Sequence, residues 1–420
     1  MNTEMDKIEK QYNEWIYPNP IEDIKKAHND GLFQTSNADL FWDIFYPEKK
    51  YSKKLKVFIA GCGSHQAISL GISNPKWEIY AIDLSAKTIE LNENQIKKYN
   101  LKNVKVEKKN ILNVNKENEF DLVISTGVIH HTKDPKETLK KIVSTANEDG
   151  AINIMIYASY LRVGVYYLQS IFKYMNVTQN QEGVDLVKFF LQEFIQKNHY
   201  VSNYEIANTD KFDAGIVDTY LNPQDKAYDI LELGNLLKNT GSYFQNWNYN
   251  FFYYPDIFLK NIPDKIFDLK NLNKLSPFEA GDFTQKLLIQ TGKLDFILRK
   301  KKYFENFWHN KKNITGEDHV KRRTYVTSRK KGRLNDNFGG SVFYGAYPKI
   351  EIPFNAKQGI IWSIIVGDKN ESKIGMKIDQ IELQYNRFAS DNNMSVLKKK
   401  EIIDIIYYFW KLGIITLQKF

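Results

Sequence analysis

At 420 residues the chain exceeds one average domain, so two or three compact units are expected. Apolar residues make up 42% of it and charged residues 26%, enough for a sizeable core and ordinary for a globular protein. Lys and Arg outnumber Asp and Glu by 59 to 50; this +9 excess could mark a nucleic-acid or acidic-membrane partner, but Lys, Asn, Ile and Tyr are abundant throughout, as an AT-rich genome dictates. The single cysteine, Cys62, excludes an intramolecular disulfide and a cysteine-based metal site. The first ten residues lack the apolar core of a signal peptide, and no run of eighteen apolar residues occurs. A cytoplasmic protein without a membrane partner is the expectation.

Residues 1–50 read as a polar extension with scattered aromatics, in which Pro18 and Pro20 stop any preceding helix. A regular alternation follows. Strands are predicted at 57–60, 77–82, 104–107, 120–125 and 151–157, and helices at 65–72, 85–99 and from Asp134-Pro135 onward. Ser85 is positioned to cap the second of these helices. Residues 160–200 read as long helices rich in Tyr, Phe and Leu, and 213–229 as a polar stretch. A helix at 228–240, a sixth strand at 243–247, an aromatic insertion to about 290 and a closing strand at 293–298 complete the pattern. The expected fold is α/β: a doubly wound, mostly parallel seven-stranded sheet with helical insertions at 158–227 and 250–290. Residues 301–335 read as a basic linker, and 336–420 as a small C-terminal α+β module of winged-helix-like character, ending in an amphipathic helix over 398–412.

In such a sheet ligands bind beyond the C-terminal strand ends, so the residues just after each strand matter most. After the first strand stand Gly61-Cys62-Gly63, a pair of glycines that lets the backbone turn tightly and admit a ligand. Asp83 ends the second strand, twenty residues after Gly63, where a carboxylate can accept both hydrogen bonds of a ribose diol. The position three beyond the second glycine is Gln66, so the third glycine of a dinucleotide site is missing, and no Gly-Lys-Ser/Thr phosphate loop occurs. A phosphate-free nucleoside remains, and S-adenosyl-L-methionine is such a ligand.

At this point the chain resembles the class I S-adenosylmethionine-dependent methyltransferases. Gly61-Cys62-Gly63 is similar to their first motif, 81–85 to their ribose-binding strand end, and 120–131 with the following 131–135 to the segment lining the methionine end. The resemblance implies that Gly61, Cys62, Gly63 and Gln66 lie against the cofactor, Asp83 and Leu84 at its ribose, Asn110 and Ile111 at its adenine, and Ser125, Thr126 and Gly127 at its methionine. The chain departs from the family pattern at Ile59, where an acidic residue is common, at His65 in place of a third glycine, and at Asn110 in place of Asp. A looser likeness, to an uncharacterised group of bacterial methyltransferases, rests on 12–18 and 218–225. It implies that Tyr17 and the 213–228 segment close over cofactor and acceptor, with residues 1–50 as a lid.

His130, His131 and Tyr157 sit where strand ends meet the expected reaction centre. A neutral imidazole there can act as general base, and it can equally serve to bond backbone or pack on the cofactor. Asp218, Asp225 and Tyr228, with Asp213 and Tyr220, form a polar aromatic cluster that would suit a cationic or amine acceptor and fits a solvated loop equally well. The aromatic run 243–254 reads as core or lid packing and Cys62 as a small buried residue. His309, Glu317, Asp318 and His319 match no metal spacing, so no metal is expected. The Asn/Asp-Pro-Pro-Tyr motif of amino-group nucleic-acid methyltransferases is absent after the fourth strand, which argues against nucleic acid despite the basic segment. The expected function is methyl transfer to a small-molecule acceptor. The alternatives are a protein or RNA acceptor recruited by the C-terminal module, or a non-catalytic cofactor-binding protein.

Overall fold

The computed structural model describes residues 7–30, 38–50, 52, 54–195, 199–203, 212–259, 269–288, 291–323, 326–330, 340–344, 352–367 and 375–420. The chain divides into two compact units, one of 1–37, 53–247 and 275–305, the other of 38–52, 248–274 and 306–420.

The first unit holds the large sheet. Helices α1 (Lys7–Glu14) and α2 (Ile24–Asn29) precede it, while α3 (Ala38–Phe45) belongs to the second unit. Then β1 (Lys56–Ala60), α4 (Gln66–Ser73), β2 (Glu78–Asp83), α5 (Ala86–Tyr99), β3 (Val104–Lys108), β4 (Phe120–Thr126), α6 (Pro135–Thr145) and β5 (Ala146–Tyr157) alternate as the sequence pattern dictates. Side chains explain the boundaries. Ser85 Oγ accepts from Thr88 N at the start of α5, and Asn100 ends that helix in the left-handed conformation at φ +51°. Asp134 accepts from Lys136 N and Glu137 N ahead of Pro135.

Next come α7 (Ser159–Tyr174), α8 (Gln181–Glu193), α9 (Asp213–Tyr220), α10 (Ile230–Leu237) and β6 (Tyr243–Trp247). After α11 (Asp256–Leu259), which belongs to the second unit, α12 (Pro277–Leu288) and β7 (Lys293–Arg299) close the first. The strand order is β3-β2-β1-β4-β5-β7-β6. β1 to β5 run parallel, and β7 is antiparallel to both of its neighbours. The chain winds outward from β1 to β3 and then returns to β4 on the other side of β1, so the switch point lies between β1 and β4. The expected seven-stranded, mostly parallel sheet is therefore present. Its central strands are buried on both faces: Val57, Phe58, Ile59 and Ala60 are all at 0% exposure.

Two local readings are corrected. The stretch 213–229 is no simple polar loop, because its first part is helix α9, buried from Ala214 to Tyr220. β5 begins at Ala146 rather than 151, with a register shift opposite Phe120 and Leu122.

The second unit is built from α3, α11, β8 (His319–Arg322), β9 (Val326–Lys330), β10 (Gly340–Tyr344), β11 (Ile352–Pro353), α13 (Ala356–Gly367), β12 (Met376–Lys377), α14 (Ile378–Asp391), α15 (Lys399–Lys411) and β13 (Ile415–Gln418). Its strands form two antiparallel sheets, β12-β8-β13 and β11-β10-β9. The segment expected as a basic linker contains short helical turns with Phe304 and Trp308 buried, and then strand β8. Both β8 and β9 lie before residue 335, so the small module takes in sequence assigned to the linker.

Candidate functional site

The turn after β1 is shaped by the protein's own packing. Gly61 and Gly63 stand at φ +81° and +55°, conformations that side chains rarely adopt. A Cβ on Gly61 would lie 2.4 Å from Val128 Cγ2, and one on Gly63 would lie 2.9 Å from Pro18 Cδ. The glycines expected for ligand approach are thus required first by Val128, just past β4, and by the Tyr17-Pro18 segment. Gly61 N and Cys62 N both donate to Ile82 O, which ties the turn to the end of β2. Cys62 is buried, and burial with the nearby Asp83 charge pushes its thiol pKa up, so it stays an inert small side chain.

Asp83 ends β2 with both oxygens engaged. Gly63 N donates to Oδ2 at 3.1 Å and Ser85 N to Oδ1 at 3.0 Å. Burial pushes its pKa above the ordinary carboxylate value, while the N–H groups of Ser85, Gly63 and Leu84 pull against that rise. Two carboxylate oxygens offer about four acceptor directions, so a ribose hydroxyl can still be accepted. Asn110 Oδ1 accepts from Leu112 N at 2.9 Å, capping the turn that holds Ile111. Its oxygen thus has one lone pair left for an adenine amino group. At the end of β4, Ser125 Oγ is buried with no partner among the described residues, Gln66 Nε2 donates to Thr126 Oγ1 at 3.2 Å, and Gly127 turns the chain at φ +76°. An orphaned hydroxyl at the end of β4, a carboxylate at the end of β2 and a glycine turn form a donor and acceptor set that fits S-adenosylmethionine.

The second half of the site centres on Asp218 of α9, which is 1% exposed. Tyr12 donates its hydroxyl to Oδ1 at 2.8 Å, and Tyr157 donates to Oδ2 at 3.1 Å. Burial, with the Asp218 charge behind it, holds both phenol pKa values well above 10, so both tyrosines stay protonated donors. Arg162 of α7 lies with its guanidinium 3.9 Å above the Tyr157 ring, and the His130 ring stacks on the same tyrosine at 3.8 Å. Two planar groups that close to one ring centroid must occupy its opposite faces. Arg162 pairs with Asp225 at 2.6 Å, and both side chains are 1% exposed. Asp225 thus anchors the guanidinium through Oδ2, and Gln169 donates to the same oxygen at 3.2 Å.

The two histidines differ in what their rings can do. Tyr157 N donates to His130 Nδ1 at 3.2 Å, so Nε2 carries the proton, buried and unpartnered among the described residues. Burial, with the charges of His131 and Arg162, holds the His130 pKa well below its ordinary value, and the ring is neutral. This leaves His130 no lone pair with which to act as a base. His131 Nδ1 lies 2.9 Å from Gln224 O and must donate to that carbonyl, so in the neutral form of the ring the lone pair is on Nε2. A strap from Asn222 to Tyr228 fixes this arrangement: Gln224 Nε2 donates to His131 O, Lys226 N to His130 O, and Tyr228 N to Tyr157 O. Tyr228 is buried and serves through its backbone, with Lys226 Nζ 4.7 Å from its ring centroid.

Tyr17 lies beside the glycine turn, its carbonyl oxygen 3.4 Å from where a Gly63 Cβ would stand. Sequence reasoning missed Tyr12 as a site residue in its own right, and it missed Arg162. An arginine in register with Val165, Leu168 and Phe172 on the buried stripe of an apolar helix was the available signal.

Residues 52–182 match the model of a family described as a methyltransferase domain. An uncharacterised protein of Synechococcus sp. is 23% identical over 209 residues, which are 48% of this chain. The chain spans 50% of that curated relative's length. Among solved structures, PKMT2 from Rickettsia typhi is 12% identical, with a TM-score of 0.63, covering 91% of this chain and 75% of that one. The same protein in complex with AdoHcy is 13% identical, with a TM-score of 0.58 over the same shares. At these identities the structural likeness speaks to the fold. Residues 52–182 carry a methyltransferase domain, the large sheet is Rossmann-like, and S-adenosylmethionine is the supported cofactor. No helix among the described residues is long and apolar enough to cross a membrane.

Proposed function

We propose that this protein transfers a methyl group from S-adenosylmethionine to the nitrogen of a small amine-bearing acceptor. One observation carries the reading: the Asp218 carboxylate, buried between the hydroxyls of Tyr12 and Tyr157. A buried carboxylate with neutral donors favours a cationic partner, and aromatic rings add cation–π attraction for an ammonium group. The cofactor supplies an electrophilic methyl carbon on a sulfonium. The protein's task is then to hold the acceptor in line and remove its proton, because only a neutral amine has a lone pair to attack with. Asp218 holds the ammonium, and His131 Nε2 is the proton acceptor, since its Nδ1 is committed to Gln224 O. Gly61, Cys62, Gly63 and Gln66 border the cofactor, Asp83 and Leu84 its ribose, Asn110 and Ile111 its adenine, and Ser125, Thr126 and Gly127 its methionine.

The test has two stages. S-adenosylhomocysteine at about 100 times its dissociation constant stabilises the native state by about 2.7 kcal/mol, and Asp83→Ala loses that shift in thermal unfolding. Labelled donor is then offered with pools of amines, alcohols and thiols. Label should enter amines, and Asp218→Asn should abolish this while keeping the thermal shift. Label entering only oxygen or sulfur acceptors would sink the amine reading.

A further inference from the structure

Tyr12 touches both halves of the site, and it does so through different atoms. Its hydroxyl donates to Asp218 Oδ1 at 2.8 Å on the acceptor side. Its backbone carbonyl accepts from Ser85 Oγ at 2.9 Å on the cofactor side. Ser85 in turn donates its N–H to Asp83 Oδ1 at 3.0 Å. The next residue reinforces the anchor, since Asn13 Oδ1 accepts from Ala86 N at 2.9 Å at the first turn of α5. Further along the same segment, Pro18 rests against Gly63, whose N–H donates to the other Asp83 oxygen. Two residues of α1 thus hold the turn beyond the ribose carboxylate, and one of them also orients the acceptor carboxylate. On the second oxygen of Asp218 the donor is Tyr157, at the end of β5, whose backbone N–H donates to His130 Nδ1.

We propose that Tyr12 is a positioning residue that makes cofactor and acceptor binding cooperative. The proposal rests on the reading of Asp218 as the seat of a cationic amine. A ribose bound to Asp83 stiffens the 83–86 turn, the turn fixes the Tyr12 backbone, and the hydroxyl then holds Asp218 in the orientation that receives an ammonium group. Ordering paid for by the first ligand lowers the cost for the second, and the coupling must be the same in both directions.

The probe is methylammonium chloride, titrated calorimetrically into the full chain with and without S-adenosylhomocysteine, with sodium chloride as the ionic-strength control. In the wild type the nucleoside should raise methylammonium affinity about fivefold or more, and methylammonium should raise nucleoside affinity by the same factor. Tyr12→Phe removes one hydroxyl, so affinity for S-adenosylhomocysteine alone should be unchanged while the coupling factor falls to about one. Tyr157→Phe weakens methylammonium binding by removing the other donor, yet retains the coupling, because among the described residues no hydrogen bond joins Tyr157 to Ser85 as one joins Tyr12. Undiminished coupling in Tyr12→Phe, or equal loss of coupling in both variants, overturns the proposal. Methylammonium binding without coupling in the wild type overturns it while leaving the amine reading standing. No methylammonium binding to the wild type overturns both.

Discussion

Alanine at Gly63 must place a methyl group 2.9 Å from Pro18 Cδ in a left-handed backbone conformation. The conformational cost alone is about 1–2 kcal/mol, and the displaced 17–18 segment adds to it. Gly63→Ala should therefore lower the thermal midpoint and also abolish the shift produced by S-adenosylhomocysteine. A variant that keeps the full ligand shift would show that the turn is only a packing device. Arg162 presents a different balance. Removing it strands the Asp225 carboxylate, whose other oxygen has no partner among the described residues. Arg162→Met should cost about 3–5 kcal/mol, whereas Arg162→Met combined with Asp225→Asn should recover most of that loss, because a neutral amide costs far less to bury than an unpaired carboxylate. Chemical denaturation of the two variants measures the difference directly. If the double variant is no more stable than the single one, the ion pair is not the main contribution of Arg162.

At the scale of elements, the sheet was legible because each buried strand is a short apolar run bounded by turn residues. The caps at Ser85 and Asp134 were legible because their side chains act locally. Helix α9 was not. Its residues from Ala214 to Tyr220 are buried on every side, so it shows no polar and apolar faces, and Asp213 and Asp218 give it the look of a loop. Asp218 is buried because Tyr12 and Tyr157 meet it from 206 and 61 residues away, contacts that no local pattern records. The cofactor half of the site follows from strand ends, and the acceptor half from long-range packing. Helix α7 shows the same dependence. A Cβ on Gly164 would lie 2.1 Å from Val201 N in the turn Tyr200–Asn203. Gly164→Ala should cost about 1–3 kcal/mol by forcing that turn away, although alanine is the better helix former. A rise in stability on this substitution would show that the turn does not pack on α7 in solution.

At the scale of the whole molecule, the second unit was the least legible, because it is assembled from 38–52, 248–274 and 306–420. A scan along the chain finds contiguous domains, so a linker at 301–335 was the natural reading of a basic stretch whose buried side chains, such as Trp308, are isolated in sequence. This unit also carries a marked acid liability. The His309 ring packs beside Tyr254 and Trp410, and Nδ1 shares a hydrogen bond with the Tyr254 hydroxyl. Burial pulls its pKa down from 6.5 to about 3, so the native state keeps the ring neutral while the unfolded chain protonates it. With the folded value below the unfolded one, the stabilisation is intact above about pH 6.5 and is lost progressively as pH falls towards 3. Between pH 7 and pH 5 the loss is about 1–2 kcal/mol, discounted because the residue as a whole is only half-buried. His130 is also held neutral by burial, so it destabilises in the same direction in the first unit. The thermal midpoint should fall on acidification from pH 7 to pH 5. His309→Gln, which can still hydrogen-bond the Tyr254 hydroxyl but cannot titrate, should flatten that fall. An unchanged slope in the variant would mean that His309 becomes protonated within the folded protein.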